Sequence, residues 1–146
     1  MTSQLNVDTI VDKAGSGGSN VKMANTSTYV SDGGNVTQNT VQSLTKLWVN
    51  FNGTGTIAAR DSFNLSSLTD VASGRYKTVS TNAFGNVNYA PNGASGYDDT
   101  GMRVVSFPYD GAVAGTTTAT PFQVNYVNDT LQERTYIFVQ IVGDLA

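Results

Sequence analysis

At 146 residues the chain has the length of one domain, with room for a short extra module but not for two catalytic ones. Charged residues make up only 13% and the formal net charge is -3, with Lys and Arg scattered singly, so no basic stripe is present to track a phosphate backbone or an anionic membrane. The absence of Cys and His removes disulfides, thiolate metal sites and the common general base, which leaves packing and self-assembly to hold the fold.

The opening Met1-Thr2-Ser3-Gln4-Leu5-Asn6 lacks the basic head and apolar run of a signal peptide, and no later stretch approaches the roughly 18 to 20 apolar residues of a membrane span. The expectation is a protein made in a cytoplasm that stays soluble or leaves by assembly into something larger. Val, Thr, Ser, Asn and Gly dominate and Glu133 is the one glutamate, a composition that favours strands and turns over helices.

Leu5, Val7, Thr9 and Val11 alternate with Asn6, Asp8 and Ile10 as one strand, ending in the linker-like Ala14-Gly15-Ser16-Gly17-Gly18-Ser19. A second extended piece spans about Asn20 to Val30 and closes on the turn sequence Asp32-Gly33-Gly34-Asn35. Val41, Leu44, Leu47 and Trp48 fall at helical spacing, with Asn39 or Thr40 placed to cap the start. Such a two-turn helix needs a partner for its apolar stripe, either its own domain or a neighbouring subunit.

Beyond Lys46 short strands alternate with turn chemistry. Leu47 to Phe51 leads into Asn52-Gly53-Thr54-Gly55, and Ile57 to Ala59, Phe63 to Leu68, Arg75 to Val79 and Val87 to Tyr89 follow. Met102 to Tyr109, Phe122 to Val127 and Arg134 to Val142 complete the set, the last two flanking a hairpin turn at Asn128-Asp129-Thr130. This spacing predicts an antiparallel sandwich. In the last strand Tyr136, Phe138 and Val142 face one way while Ile137, Val139 and Ile141 face the other, which demands cover on both sides from a neighbouring subunit or from the chain itself.

The run from Lys46-Leu47-Trp48-Val49-Asn50-Phe51-Asn52-Gly53 through Arg60-Asp61-Ser62-Phe63-Asn64-Leu65 to Leu68-Thr69-Asp70 resembles a module of bacteriophage tail-fibre and other virion proteins, notably those of marine phages and cyanophages. The likeness continues through Ser73-Gly74-Arg75-Tyr76 and fades toward Asn86-Val87-Asn88-Tyr89-Ala90, covering about a third of the chain. Weaker likeness extends to Gln38 through Lys46 and to Leu5 through Ile10, whereas Lys77 to Gly85 departs from the family's alternating pattern. The resemblance implies a virion component, usually trimeric and often in contact with the host cell, and not an enzyme.

Candidate sites are few. Asp98 and Asp99 are adjacent in a glycine-rich loop, but sequence neighbours do not make a facing acid and base, and no EF-hand spacing surrounds them. Gly53-Thr54-Gly55 and Gly15-Ser16-Gly17-Gly18 lack the Lys-Ser/Thr and helix of a nucleotide loop. Arg60-Asp61 reads as a structural ion pair, and the Asn-x-Ser/Thr triplets at Asn25, Asn52 and Asn64 follow from composition. The loops Asn92 to Gly101 and Tyr109 to Thr120 place Tyr97, Asp98, Asp99, Tyr109 and Asp110 as candidate contacts to a polar, sugar-like receptor such as a host glycan, against the alternative of permissive connections.

The reading is an all-β, antiparallel β-sandwich at 49–146 behind an attachment segment at 1–48 with strands and a short helix, assembled as a homotrimer. Val41, Leu44, Trp48, Tyr136 and Phe138 are the candidate trimer contacts. The expected role is a tail-fibre or appendage subunit bound to other virion proteins, with a capsid decoration or head-fibre protein as the alternative. No metal, cofactor, nucleic acid or membrane insertion is expected.

Overall fold

The computed structural model describes residues 23–24, 26–31, 33–34, 36–96, 103–107, 115–126 and 130–146. The strand expected at Leu5 to Val11, its glycine-serine linker and most of the Asn128-Asp129-Thr130 turn lie outside these residues.

The described chain begins with a small hairpin of β1 (Thr28–Val30) and β2 (Thr37–Asn39), paired antiparallel. Its turn is held by Ser31, whose N–H donates to the Val36 carbonyl at 2.8 Å while its hydroxyl accepts from the Val36 N–H at 3.2 Å. A single helical turn follows, α1 (Thr40–Ser43), with the Asn39 Oδ1 accepting from the Gln42 N–H at 2.8 Å as N-cap.

The helix does not run on to Trp48 as its spacing predicts. Leu44 is already extended and β3 (Thr45–Asn52) starts at the next residue, because Leu47 and Val49 are drawn into a sheet whose hydrogen bonds outweigh a one-turn extension. Sandwich structure therefore begins at Thr45, ahead of the division at 48/49 drawn from the sequence. Lys46 seals the junction by donating from Nζ to the carbonyls of Val41 and Leu44, the last acceptors of the helical turn. Burial pulls its ammonium below the ordinary lysine value, and the Asp144 carboxylate partly restores it.

The remaining strands are β4 (Ala58–Phe63), β5 (Leu65–Ala72), β6 (Arg75–Ser80), β7 (Ala90–Ser95), β8 (Arg103–Ser106), β9 (Ala119–Tyr126) and β10 (Ile137–Val142). They form two four-stranded antiparallel sheets, in the orders β4-β3-β10-β7 and β5-β6-β9-β8. Val87 to Tyr89, expected as a strand, is irregular, and the strand forms one step later at β7. Ala90-Pro91-Asn92-Gly93-Ala94-Ser95 has almost no strand propensity, yet an edge position tolerates Pro and Gly, and the free side of β10 supplies the ladder.

The two sheets meet over one core of Leu47, Val49 and Phe51 from β3, Ile137, Val139 and Ile141 from β10, Tyr76 from β6, Phe122 and Val124 from β9, and Phe84. The Phe51 ring lies edge-on to Tyr76 at 5.2 Å and to Phe122 at 5.9 Å, joining the sheets through aromatic contacts. The buried Tyr76 hydroxyl donates to the Gly53 carbonyl at 2.8 Å. Gly53 admits no side chain, since a Cβ there would stand 2.6 Å from both the Tyr76 Oη and the Ile137 Cδ1.

Asn64 makes the corner between the sheets. It occupies the left-handed region at φ 58°, where Asn is among the few residues tolerated. Its amide donates to the carbonyls of Lys46 (2.8 Å) and Asn82 (3.2 Å), and its Oδ1 accepts from the Asn82 N–H at 2.8 Å. One side chain thus ties β3, the β4–β5 corner and the segment after β6.

Two predictions follow from these contacts. Asn64→Gly keeps the corner's backbone but loses the side-chain bonds and is expected to cost about 1–3 kcal/mol of unfolding free energy. Asn64→Ala adds the left-handed penalty and is expected to cost about 1 kcal/mol more, as read by urea denaturation of both variants. The second concerns Tyr76, whose hydroxyl is pushed above its ordinary value of 10.0 chiefly by burial, with the Glu133 and Asp70 carboxylates adding to the shift. Above that pH the unfolded chain releases a proton that the native state retains, so native stability falls as pH rises. Tyr76→Phe is expected to flatten that alkaline fall, and to cost about 1–3 kcal/mol at neutral pH by stranding the Gly53 carbonyl. Thermal melts at neutral and alkaline pH check both effects.

Candidate functional site

Alternation along β3 and β10 decides what the first sheet shows to solvent. With Leu47, Val49, Phe51, Ile137, Val139 and Ile141 turned inward, Trp48 and Asn50 on β3 and Phe138 and Gln140 on β10 must turn outward. Cross-strand register then adds neighbours: Trp48 stands opposite Phe63 on β4 and Gln140 on β10, and Phe138 stands opposite Asn50 and Ala94.

The outcome is an aromatic face on the outside of the sheet. Relative exposure is 36% for Trp48, 53% for Phe63, 45% for Tyr136 and 42% for Phe138. A single exposed ring is ordinary, and four on one sheet face make it a candidate interaction surface. The amides Asn50 and Gln140 stand among them, with the charges of Arg60 and Asp61 toward the β4 edge, and Gln140 is anchored by donating from Nε2 to the Thr45 hydroxyl.

The two edges of this face differ. At the β4 edge Phe63 projects, and the register shift opposite Asn50 and Phe51 leaves Arg60 outside the ladder. The Arg60 guanidinium stacks 4.3 Å from the centre of the Tyr136 ring, while Asp61 accepts from the Ser62 N–H at 2.8 Å. The ion pair expected between Arg60 and Asp61 is therefore replaced by a cation–π contact, because the bulge sends the guanidinium toward β10.

Toward the other side, across β3, β10 and β7, the face sinks into a groove of about 440 Å³ lined by Trp48, Asn50, Asn92, Gly93, Ala94, Phe138 and Gln140. Asn92 and Ala94 are the β7 residues turned to this face. Gly93 faces the core instead, where a Cβ would stand 2.8 Å from Val105 Cγ1 on β8 and 2.9 Å from the Phe138 carbonyl oxygen.

Of the candidate trimer contacts, the structure brings Trp48, Tyr136 and Phe138 together on this face. Val41 and Leu44 belong to α1 and its C-cap, and neither lines the groove. Leu44 is 52% exposed, and Tyr29, Val30 and Val36 of the small hairpin are exposed as well. Phe63 was not among the candidates, since its membership depends on a cross-strand register that no local pattern reveals. The receptor-contact candidates Tyr97, Asp98, Asp99, Tyr109 and Asp110 lie outside the described residues.

Two other depressions flank the far end of the sandwich. One, of about 400 Å³, is polar and lined by Gln42, Asn86, Asn88 and Asp144, with Gln42 Nε2 donating to Asp144 Oδ2 at 3.1 Å. The other, of about 320 Å³, is apolar and lined by Val87, Tyr89, Pro91, Phe107 and Pro121. Among the described residues no group of three or more Asp or Glu side chains is placed to hold a metal ion, and no helix is long and apolar enough to cross a membrane. No protein-family profile, curated protein or solved structure matches this chain.

Proposed function

We propose that the chain is a bacteriophage virion structural protein, a homotrimeric tail-fibre or appendage subunit rather than an enzyme. In this reading the N-terminal segment docks on the tail, and the sandwich is the distal part that meets the host surface. The observation that carries it is the central strand β10. Its inner residues Ile137, Val139 and Ile141 are at most 2% exposed, whereas Phe138 on its outer face is 42% exposed with Trp48, Phe63 and Tyr136 around it. A central strand apolar on both faces and covered on one is half of an interface.

The hairpin supports the attachment role in the same way. Tyr29 and Val36 are 68% and 67% exposed, so this piece buries little within its own chain and is suited to bury more against another virion protein. The resemblance of residues 46–70 to virion modules supplies the particle context, and three linked copies would strengthen weak single contacts to a host glycan by avidity. A capsid decoration or head-fibre protein uses the same features and is the alternative.

Two measurements test the reading. Light scattering at micromolar concentration is expected to give three times the chain mass of 15.4 kDa, and a clean single-chain mass removes the basis for the trimer. Antibody against the sandwich is expected to label particle tails at low copy number in electron micrographs. Labelling over the whole head selects the decoration role, and unlabelled particles overturn the virion assignment.

A further inference from the structure

The groove on the outer face is a chequerboard of rings and amides. In the register of β3, β10 and β7, Trp48, Gln140 and Asn92 form one row and Asn50, Phe138 and Ala94 the next, so each ring has an amide directly across and the two rings stand on a diagonal. Diagonal neighbours lie about 7–8 Å apart, which leaves space between the rings. Two of the amides have unmet capacity. Asn50 Oδ1 is out of solvent with no hydrogen-bond partner, and Gln140, once its Nε2 has donated to Thr45, keeps Oε1 to accept.

We infer that the groove binds a neutral pyranose, one face of the sugar ring lying on Trp48 and Phe138 and its hydroxyls exchanging hydrogen bonds with Asn50, Gln140 and Asn92. The inference rests on the host-contact reading above and gives it a site. Phe63 and Tyr136 lie outside the groove lining, and the trimer contact then falls to that part of the face.

Size, charge and chemistry each favour this occupant. The groove's 440 Å³ lies in the range of small-molecule sites, about 300–1,000 Å³. At their observed exposures Trp48 and Phe138 bare roughly 120–200 Å², taking about 150–250 Å² per ring, well below the roughly 800 Å² per partner of a protein interface. No Lys, Arg, Asp or Glu lines the groove, so a phosphate, carboxylate or ammonium would lose water there without gaining a counter-charge. A purely apolar ligand would use the rings and leave the amides stranded. A pyranose answers both: the C–H bonds on its face carry slight positive charge and pack on the negative face of an aromatic ring, while each hydroxyl donates and accepts as an amide does. The terminal torsion of Asn50 is soft, so its amide can turn to present Oδ1 to a hydroxyl donor.

Trp48, the chain's one tryptophan, is a reporter on the groove wall. Free hexoses and N-acetylhexosamines are titrated into the full-length protein at fixed protein concentration, with sialic acid as the charged comparison. A neutral sugar is expected to change Trp48 emission saturably, with a dissociation constant on the order of 1 mM, and to receive saturation-transfer signal at its ring protons in NMR. Phe138→Ala removes half of the platform, and Ala94→Leu fills the groove while keeping every ring and amide. Both positions are exposed, and each variant is expected to bind at least tenfold more weakly with an unchanged circular dichroism spectrum. Sugar binding that survives both substitutions overturns this site and leaves the host-contact reading standing, as does a response to sialic acid alone. No response to any sugar overturns the inference; the host-contact reading then stands if the purified protein still blocks adsorption of particles to cells, and falls if it does not.

Discussion

The pairing of β3 with β10 is the constraint on which the rest of this molecule depends. It joins the first sandwich strand to the last across the length of the domain and places both at the centre of one sheet. Once they pair, their inner residues supply six of the ten buried core side chains. The same pleat forces Trp48 and Phe138 outward, so the strands that close the core also create the exposed aromatic face.

Polar contacts then fix how the second sheet sits on the first. Asn64 turns the chain from one sheet to the other in a backbone conformation most residues avoid, and spends its side chain on Lys46 and Asn82. Tyr76 crosses the core and ends on the Gly53 carbonyl, which makes the aromatic cluster directional rather than only greasy. These bonds hold the β4 corner and therefore Phe63, at its end, in a fixed position on the rim. Geometry at an edge of the sheet is thus set by interactions in the core.

Much of the sandwich was legible because β3 and β10 alternate clearly and the Asn52-Gly53-Thr54-Gly55 turn is unambiguous. The sorting of the last strand's residues into two faces was legible too, while the fold shows that Ile137, Val139 and Ile141 take the inner one. Other parts were hidden for physical reasons. Val41, Leu44, Leu47 and Trp48 satisfy a helical period by coincidence, and only the tertiary pull on Leu47 shows that the helix stops after one turn. Strand β7 is written in Pro, Asn, Gly and Ala and exists because β10 offers a free ladder, while β2 is too short and polar to declare itself. Phe63 entered the candidate site through register with Trp48, which is a property of the folded sheet and not of any window of sequence.

The functional account turns on whether the outer face of this sheet is covered when the protein is at work. Trp48 is the sole tryptophan in the chain and stands on that face, so its fluorescence reports on cover directly. In the full-length protein at high concentration its emission is expected to be blue-shifted and protected from acrylamide, and to move to the red with rising quenching on dilution. Red-shifted, freely quenched emission at every concentration would mean that the aromatic face stays in water, and would contradict the claim that this fold is built to be completed by copies of itself.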